Sequence, residues 1–160
     1  MTTWTVKLLG RFQLKDASNT PQPIRNQDAI KLLAYLLYFH QRSHACNQVA
    51  EVLWPHLDEV RRRNLFQKSL KLLYRQFSIA ENSVITCQDG RLSLDIRYFN
   101  VDIISIKALI QQARSCSEPR QRLGYLMSII QRDYGLLLSQ FEDDWIVSER
   151  LHLHALYLTT

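Results

Sequence analysis

The period of the hydrophobic positions changes along the chain, and each change marks an element. Trp4, Val6 and Leu8, then Phe12 and Leu14, alternate with polar residues around Gly10. That alternation predicts two short strands, Trp4 to Leu9 and Arg11 to Leu14, of a small antiparallel sheet. A turn-rich stretch over 16–23 follows, then a third short strand at Ile24, and Asn26 is placed to cap a helix running to about His40. Ala29, Ile30, Leu32, Leu33, Leu36, Leu37 and Phe39 make that helix apolar almost all round, so it belongs at the centre of a core. Asn47 can cap a second, short helix that ends at Leu53, because Pro55 pushes Trp54 out of the helical region. Asp58 and Glu59 suit the start of a third helix, which continues to Phe77. Two β-rich runs, Val84 to Cys87 and Leu92 to Ile96, then flank Gln88-Asp89-Gly90-Arg91, where Asp-Gly signals a tight hairpin.

From Val101 onward the period is helical throughout. Segments near 102–115, 118–132 and 143–158 are separated by Ser117-Glu118-Pro119 and by Tyr134-Gly135, which suggests stacked helical hairpins in a repeat-like module. Leu151, Leu153, Leu156 and Leu158 give the last segment more apolar surface than a terminal helix shows to water, as expected of a truncated module or a dimer interface.

Charge divides the chain at the same place. Residues 1–100 carry 14 Lys and Arg against 8 Asp and Glu, whereas residues 101–160 carry 6 against 7. A polyanionic partner therefore belongs on the N-terminal half. The expected organisation is an α+β domain over 1–98 and an all-α module over 99–160. With 46% hydrophobic residues the chain can bury a core. Cys46, Cys87 and Cys116 are far apart without C-x-x-C spacing, so neither a disulfide framework nor a zinc knuckle is indicated, and Cys87, in a strand, is expected to be buried and inert. No basic stretch followed by an apolar run opens the sequence, and no segment has the ~18 apolar residues of a membrane span. A soluble, cytoplasmic protein with no membrane partner is the expectation.

The third helix carries the candidate chemistry. On a helical wheel Leu70, Leu73 and Phe77 fall within about 40° of Phe66, a core stripe, while Arg61, Asn64, Lys68, Lys71 and Arg75 fall within about 40° of the opposite side, with Gln67 at their flank. Residues 58–77 hold six cations against two acids. An exposed helix is ordinarily charged, but with both signs mixed; a face of one sign suits DNA, since Arg, Asn and Gln bond base edges and Lys and Arg neutralise phosphates. A short helix and turn before it and a hairpin with Arg91 at its tip after it describe a helix-turn-helix with a wing.

Leu8-Leu9-Gly10-x-Phe12-x-Leu14, Lys31-Leu32-Leu33-Ala34-Tyr35-Leu36-Leu37, Val52-Leu53-Trp54-Pro55, and Arg63 with the Phe66, Leu70, Leu73 stripe resemble the OmpR-like winged helix of the antibiotic regulatory protein (SARP) family of bacterial activators. Val101-Asp102, Ala113 and Trp145-x-x-x-Glu149-Arg150 are similar to the start of the bacterial transcriptional activator domain, a TPR-like helical module, that follows it there. The resemblance implies a recognition helix in the major groove, a wing in the minor groove, and a loop over Trp54, His56, Leu57 and Asp58 that meets RNA polymerase. Leu72 and Tyr74 occupy two positions where the family carries basic residues.

Other clusters support simpler roles. His40, His44 and Cys46 could be read as metal ligands but lack a fourth, and His40 suits a helix C-terminus. Glu142-Asp143-Asp144 suits a helix start, and Trp54 and Trp145 suit packing. There is no Gly-rich phosphate loop, nucleophile–base arrangement or paired carboxylates, so neither an enzyme nor a cofactor is expected. The expected function is sequence-specific binding of double-stranded DNA by Arg61, Asn64, Gln67, Lys68, Lys71, Arg75 and Arg91 in a transcriptional regulator. RNA polymerase and a second copy on DNA are the further candidate partners. The alternative is a protein-interaction module using an apolar flank at Leu65 and Leu72.

Overall fold

The computed structural model describes residues 3–77, 84–131 and 135–158, with residues 130 and 131 described by backbone alone. Its architecture is α+β: small sheets and, among the described residues, six α-helices. The chain divides into two compact units, 1–5 with 14–100 and 6–13 with 101–160.

In the first unit, α1 (Gln27–Tyr38) starts where Asn26 Oδ1 accepts from the Ala29 N–H at 3.0 Å, and Ala29, Leu32, Leu33, Leu36 and Leu37 are buried around it. The chain then forms β3 (His44–Ala45), α2 (Cys46–Leu53) and α3 (Glu59–Gln76). α3 packs on α1 and α2 through Phe66, Leu70 and Leu73. A hairpin of β4 (Ile85–Gln88) and β5 (Arg91–Leu94) follows, and β3 joins it in a sheet of order β3-β5-β4. Both pairings are antiparallel, with Leu92 opposite His44 on one side and Cys87 on the other. Asp89 and Gly90 take positive φ of 53° and 72°, the left-handed conformations a two-residue hairpin turn demands. Behind α3, Phe77 meets Trp4 and Phe99 edge-on, with centroids 5.0 and 5.3 Å away.

Two local expectations are corrected. Ile24 is not in a strand. The third strand of the N-terminal sheet is instead β6 (Phe99–Val101), in the order β2-β1-β6 with β1 (Trp4–Lys7) and β2 (Gln13–Lys15). Asn47 is not the N-cap of α2, which begins at Cys46 after Ala45; its Oδ1 instead accepts the Gln48 N–H within the first turn at 3.0 Å, and the Cys46 N–H, the first of the helix's free donors, goes to the Gly90 carbonyl of the hairpin turn at 2.9 Å. The two-residue β3 was not foreseen, because so short a strand leaves no alternation to read.

The second unit holds α4 (Asp102–Ser115), α5 (Pro119–Gln131) and α6 (Asp144–Leu158), with α4 and α5 packed on each other. Its extended segment 6–13 is fixed by backbone bonds. Leu138 N–H donates to Leu8 O, Gly10 N–H to Leu136 O and Ser139 N–H to Gly10 O, at 2.8 to 2.9 Å. The Asp102 carboxylate accepts the N–H groups of Leu8 and Leu9 at 2.9 and 3.0 Å. Burial pushes this carboxyl's pKa up, against the lowering effect of its backbone donors. Along α6, Leu151 and Leu158 are exposed, Leu156 is half-buried and Leu153 is buried. Among the described residues, no helix is long and apolar enough to cross a membrane.

Candidate nucleic-acid interface

Asp58 starts α3: its Oδ1 accepts from the Arg61 N–H at 2.8 Å, and Glu59 adds a second acid to the first turn. Both complement the helix dipole, which leaves the remainder of the exposed surface free to be basic. Arg61, Asn64, Gln67, Lys68, Lys71 and Arg75 are all exposed, opposite buried Phe66, Leu70 and Leu73.

The cations differ in how far they are already engaged. Arg61 lies 3.6 Å from Asp58 and Arg63 3.4 Å from Glu59, both pairs open to solvent and worth well under ~1 kcal/mol. Arg62 turns back, its Nε donating to the Trp54 carbonyl at 2.9 Å and its Nη2 to that of Pro55 at 2.8 Å. It therefore holds the α2–α3 loop and is withdrawn from the face. The signal for this was present in the sequence, since a proline-terminated helix leaves carbonyls for a nearby cation to satisfy. The side chains of Asn64, Gln67, Lys68, Lys71 and Arg75 make no hydrogen bond or ion pair with other described residues. Their donors are available to a ligand at no cost to the fold.

Arg91 begins β5 beside the turn. It is exposed but anchored, its Nη2 donating to the Ser43 carbonyl at 2.9 Å and to Ser43 Oγ at 3.0 Å. The hairpin is thereby tied to the segment between α1 and β3. In the loop before α3, Trp54 is buried and its indole N–H donates to Asp28 Oδ1 at 2.9 Å. His56 and Asp58 are exposed and Leu57 is half-buried. On the flank of α3, Leu65 and Leu72 are half-buried, so the apolar ridge there is partly covered.

The histidines near α1 serve packing. His40 Nδ1 lies 3.1 Å from the Leu37 carbonyl, and buried His44 places Nε2 2.9 Å from that of Phe39 while its ring faces Tyr35. Among the described residues no group of three His, Cys, Asp or Glu could hold a metal. Cys87 corrects an expectation: it is exposed, because β4 is an edge strand and its turn-proximal residues are left uncovered. In the C-terminal unit, two residues of the quoted motifs prove to be clamps. Asp102 holds the segment at Leu8 and Leu9, and Arg150 bonds the carbonyls of Leu137, Leu138 and Phe141. Trp145 is buried, and Glu142 pairs with Arg150 at 3.1 Å.

No protein-family profile matches the sequence, and no curated protein matches it. A solved structure is similar: Mycobacterium tuberculosis EmbR in complex with a low-affinity phosphopeptide, with a TM-score of 0.78 at 16% sequence identity, covering 99% of this chain and 44% of that one. The chain thus spans less than half the length of that structure. At this identity the likeness is one of fold: the chain has the α+β architecture of small sheets and helices found in EmbR.

Proposed function

We propose that the chain is the DNA-binding part of a transcriptional regulator, a winged helix over about residues 1–98 joined to a TPR-like helical module. In this reading α3 enters the major groove and the β4–β5 hairpin is the wing. The observation that carries it is the α3 face. Lys68, Lys71 and Arg75 stand exposed beside Asn64 and Gln67, all without partners among the described residues, while the opposite side of the helix is locked into the core. Cations aligned this way match phosphates along a groove, and the amides can each bond an adenine edge.

The EmbR-like fold supports the reading, because EmbR is a regulator of the family that the sequence motifs resemble. Arg91, anchored on Ser43, would present the wing to the minor groove or a phosphate, and His56 and Asp58 would form the exposed part of a polymerase-facing loop. An activator acting in the cytoplasm, binding as one copy or two, completes the proposal.

The experiment is selection from a random duplex pool at about 50 and about 200 mM salt, followed by sequencing of the retained fraction. Enrichment of a motif with a steep loss of affinity at the higher salt is the expected result. Weak, motif-free binding at both concentrations would overturn the reading.

A further inference from the structure

We infer that Cys46 and Cys87 form a redox-active dithiol, a modification site that closes to an intramolecular disulfide between the start of α2 and the edge strand of the hairpin.

The two sulfurs lie 3.4 Å apart although 41 positions separate the residues. Their approach is imposed by backbone. Cys87 is held opposite Leu92 in the β4–β5 ladder, and Leu92 is also opposite His44 on β3. After Ala45 the chain turns into α2, whose first residue is Cys46, and the Cys46 N–H is fixed on the Gly90 carbonyl of the hairpin turn at 2.9 Å. Closing the sulfurs to the ~2.05 Å of a disulfide therefore asks for side-chain rotation and a small adjustment at the edge of a sheet. The third thiol belongs to the other unit, where Cys116 Sγ lies 3.5 Å from the Glu118 carbonyl and from Gln121 Oε1.

The two thiols differ in a way that orders the chemistry. Cys87 is exposed, so a small oxidant reaches it first. Cys46 is half-buried; that burial, followed by the hydrogen bond and charge of Cys87, pushes its pKa up to about 11 and keeps it protonated at neutral pH. With a hydroperoxide as oxidant, the Cys87 thiolate attacks one peroxide oxygen and the O–O bond breaks. The departing oxygen takes a proton, and Cys87 becomes a sulfenic acid. Cys46 then gives up its proton and its sulfur attacks that of Cys87. The S–O bond breaks, and the hydroxyl leaves with the proton as water. In sum, two thiols pass two electrons to hydrogen peroxide, giving one disulfide and two waters, and a small dithiol reverses the change.

The loop so closed contains all of α3. Tyr74, on α3, is near enough for its pKa to be raised by burial first and then by the charges of Cys87 and Cys46. Oxidation would therefore staple the hairpin to α2 beside the basic face. The site itself does not depend on whether that face reads DNA.

The test uses the full chain, reduced, freed of reductant and exposed to hydrogen peroxide, with free thiols counted by maleimide addition after denaturation and with intact mass. The expected result is a fall from three maleimide adducts to one, a loss of about two mass units, and a Cys46–Cys87 cross-linked peptide that is independent of protein concentration and reversed by dithiothreitol. Cys46→Ser should leave Cys87 as a sulfenic acid that dimedone traps. Retention of three adducts under these conditions, or cross-links formed only between chains or to Cys116, would overturn the inference. Because the readout counts thiols, failure of DNA binding would leave it standing.

Discussion

On α3, Lys68, Lys71 and Arg75 stand in water without a partner among the described residues. In the C-terminal unit Arg150 is sunk among acceptors, its side chain only 12% exposed. Its Nε donates to the Leu137 carbonyl at 2.8 Å, its Nη2 to those of Leu138 and Phe141 at 2.8 and 2.6 Å, and its Nη1 to Glu142. A buried guanidinium is tolerated because nearly every donor is satisfied, and its carbonyl partners depend on it in turn. The exposed cations satisfy nothing in the fold. The two regions show that cation position alone does not distinguish structure from function; what distinguishes them is whether the donors are already used.

Substitutions at Arg150, Asp102, Gly135 and the α3 face can break or sharpen this contrast. The largest effect is expected from Arg150→Ala, which takes the guanidinium from the Leu137 and Phe141 carbonyls, leaves the Leu138 carbonyl with only the Phe141 N–H at 2.9 Å, and should lower unfolding free energy by about 3 kcal/mol in urea titration. Arg150→Lys should recover little of it, since an ammonium lacks the planar fork. An Arg150→Ala protein as stable as the parent would show that the clamp is ornamental.

Asp102→Ala should follow at about 2 kcal/mol, because the Leu8 and Leu9 N–H groups lose their acceptor. Asp102 also gives a pH signature. Its folded pKa is raised by burial above the unfolded ~3.9, so its contribution is fully present below pH ~3.9 and declines as pH rises through the folded value. The stability of the parent relative to Asp102→Asn, measured by chemical unfolding, should fall across that window; a flat difference would mean that burial does not act on this carboxyl.

Gly135→Ala should cost about 1 to 2 kcal/mol in thermal unfolding, since the new Cβ would lie 2.8 Å from the Gly10 Cα, a backbone atom that cannot move alone. The smallest stability effect is expected on α3, where Lys68→Ala with Arg75→Ala should stay within about 0.5 kcal/mol of the parent. A larger loss would place these cations among the structural ones.

Much of the first unit was legible because its signals are local. Asn26 caps the helix it was expected to cap, Asp58 and Glu59 stand at the start of α3 where acids were expected, and Asp89-Gly90 forms the turn that its residue types demand. The α3 wheel placed the polar and basic residues on the side the structure leaves exposed. What was hidden depends on partners distant in sequence. No periodicity announces β6 as a partner of β1, the burial of Trp54 on Asp28, the anchoring of Arg91 on Ser43, or the meeting of Cys46 with Cys87. The clamps at Asp102 and Arg150 stood in quoted motifs, yet their roles required the carbonyls and N–H groups of segments well removed along the chain.

The central claim is that the unused donors of α3 exist for a nucleic acid. The most direct test is duplex binding by the parent and by the Lys68→Ala, Arg75→Ala protein across a salt series, on the motif the parent selects. The account predicts that the variant, folded and equally stable, binds at least about tenfold more weakly and that its slope of log affinity against log salt is shallower by about two. Equal affinity and equal slope for the two proteins would contradict it.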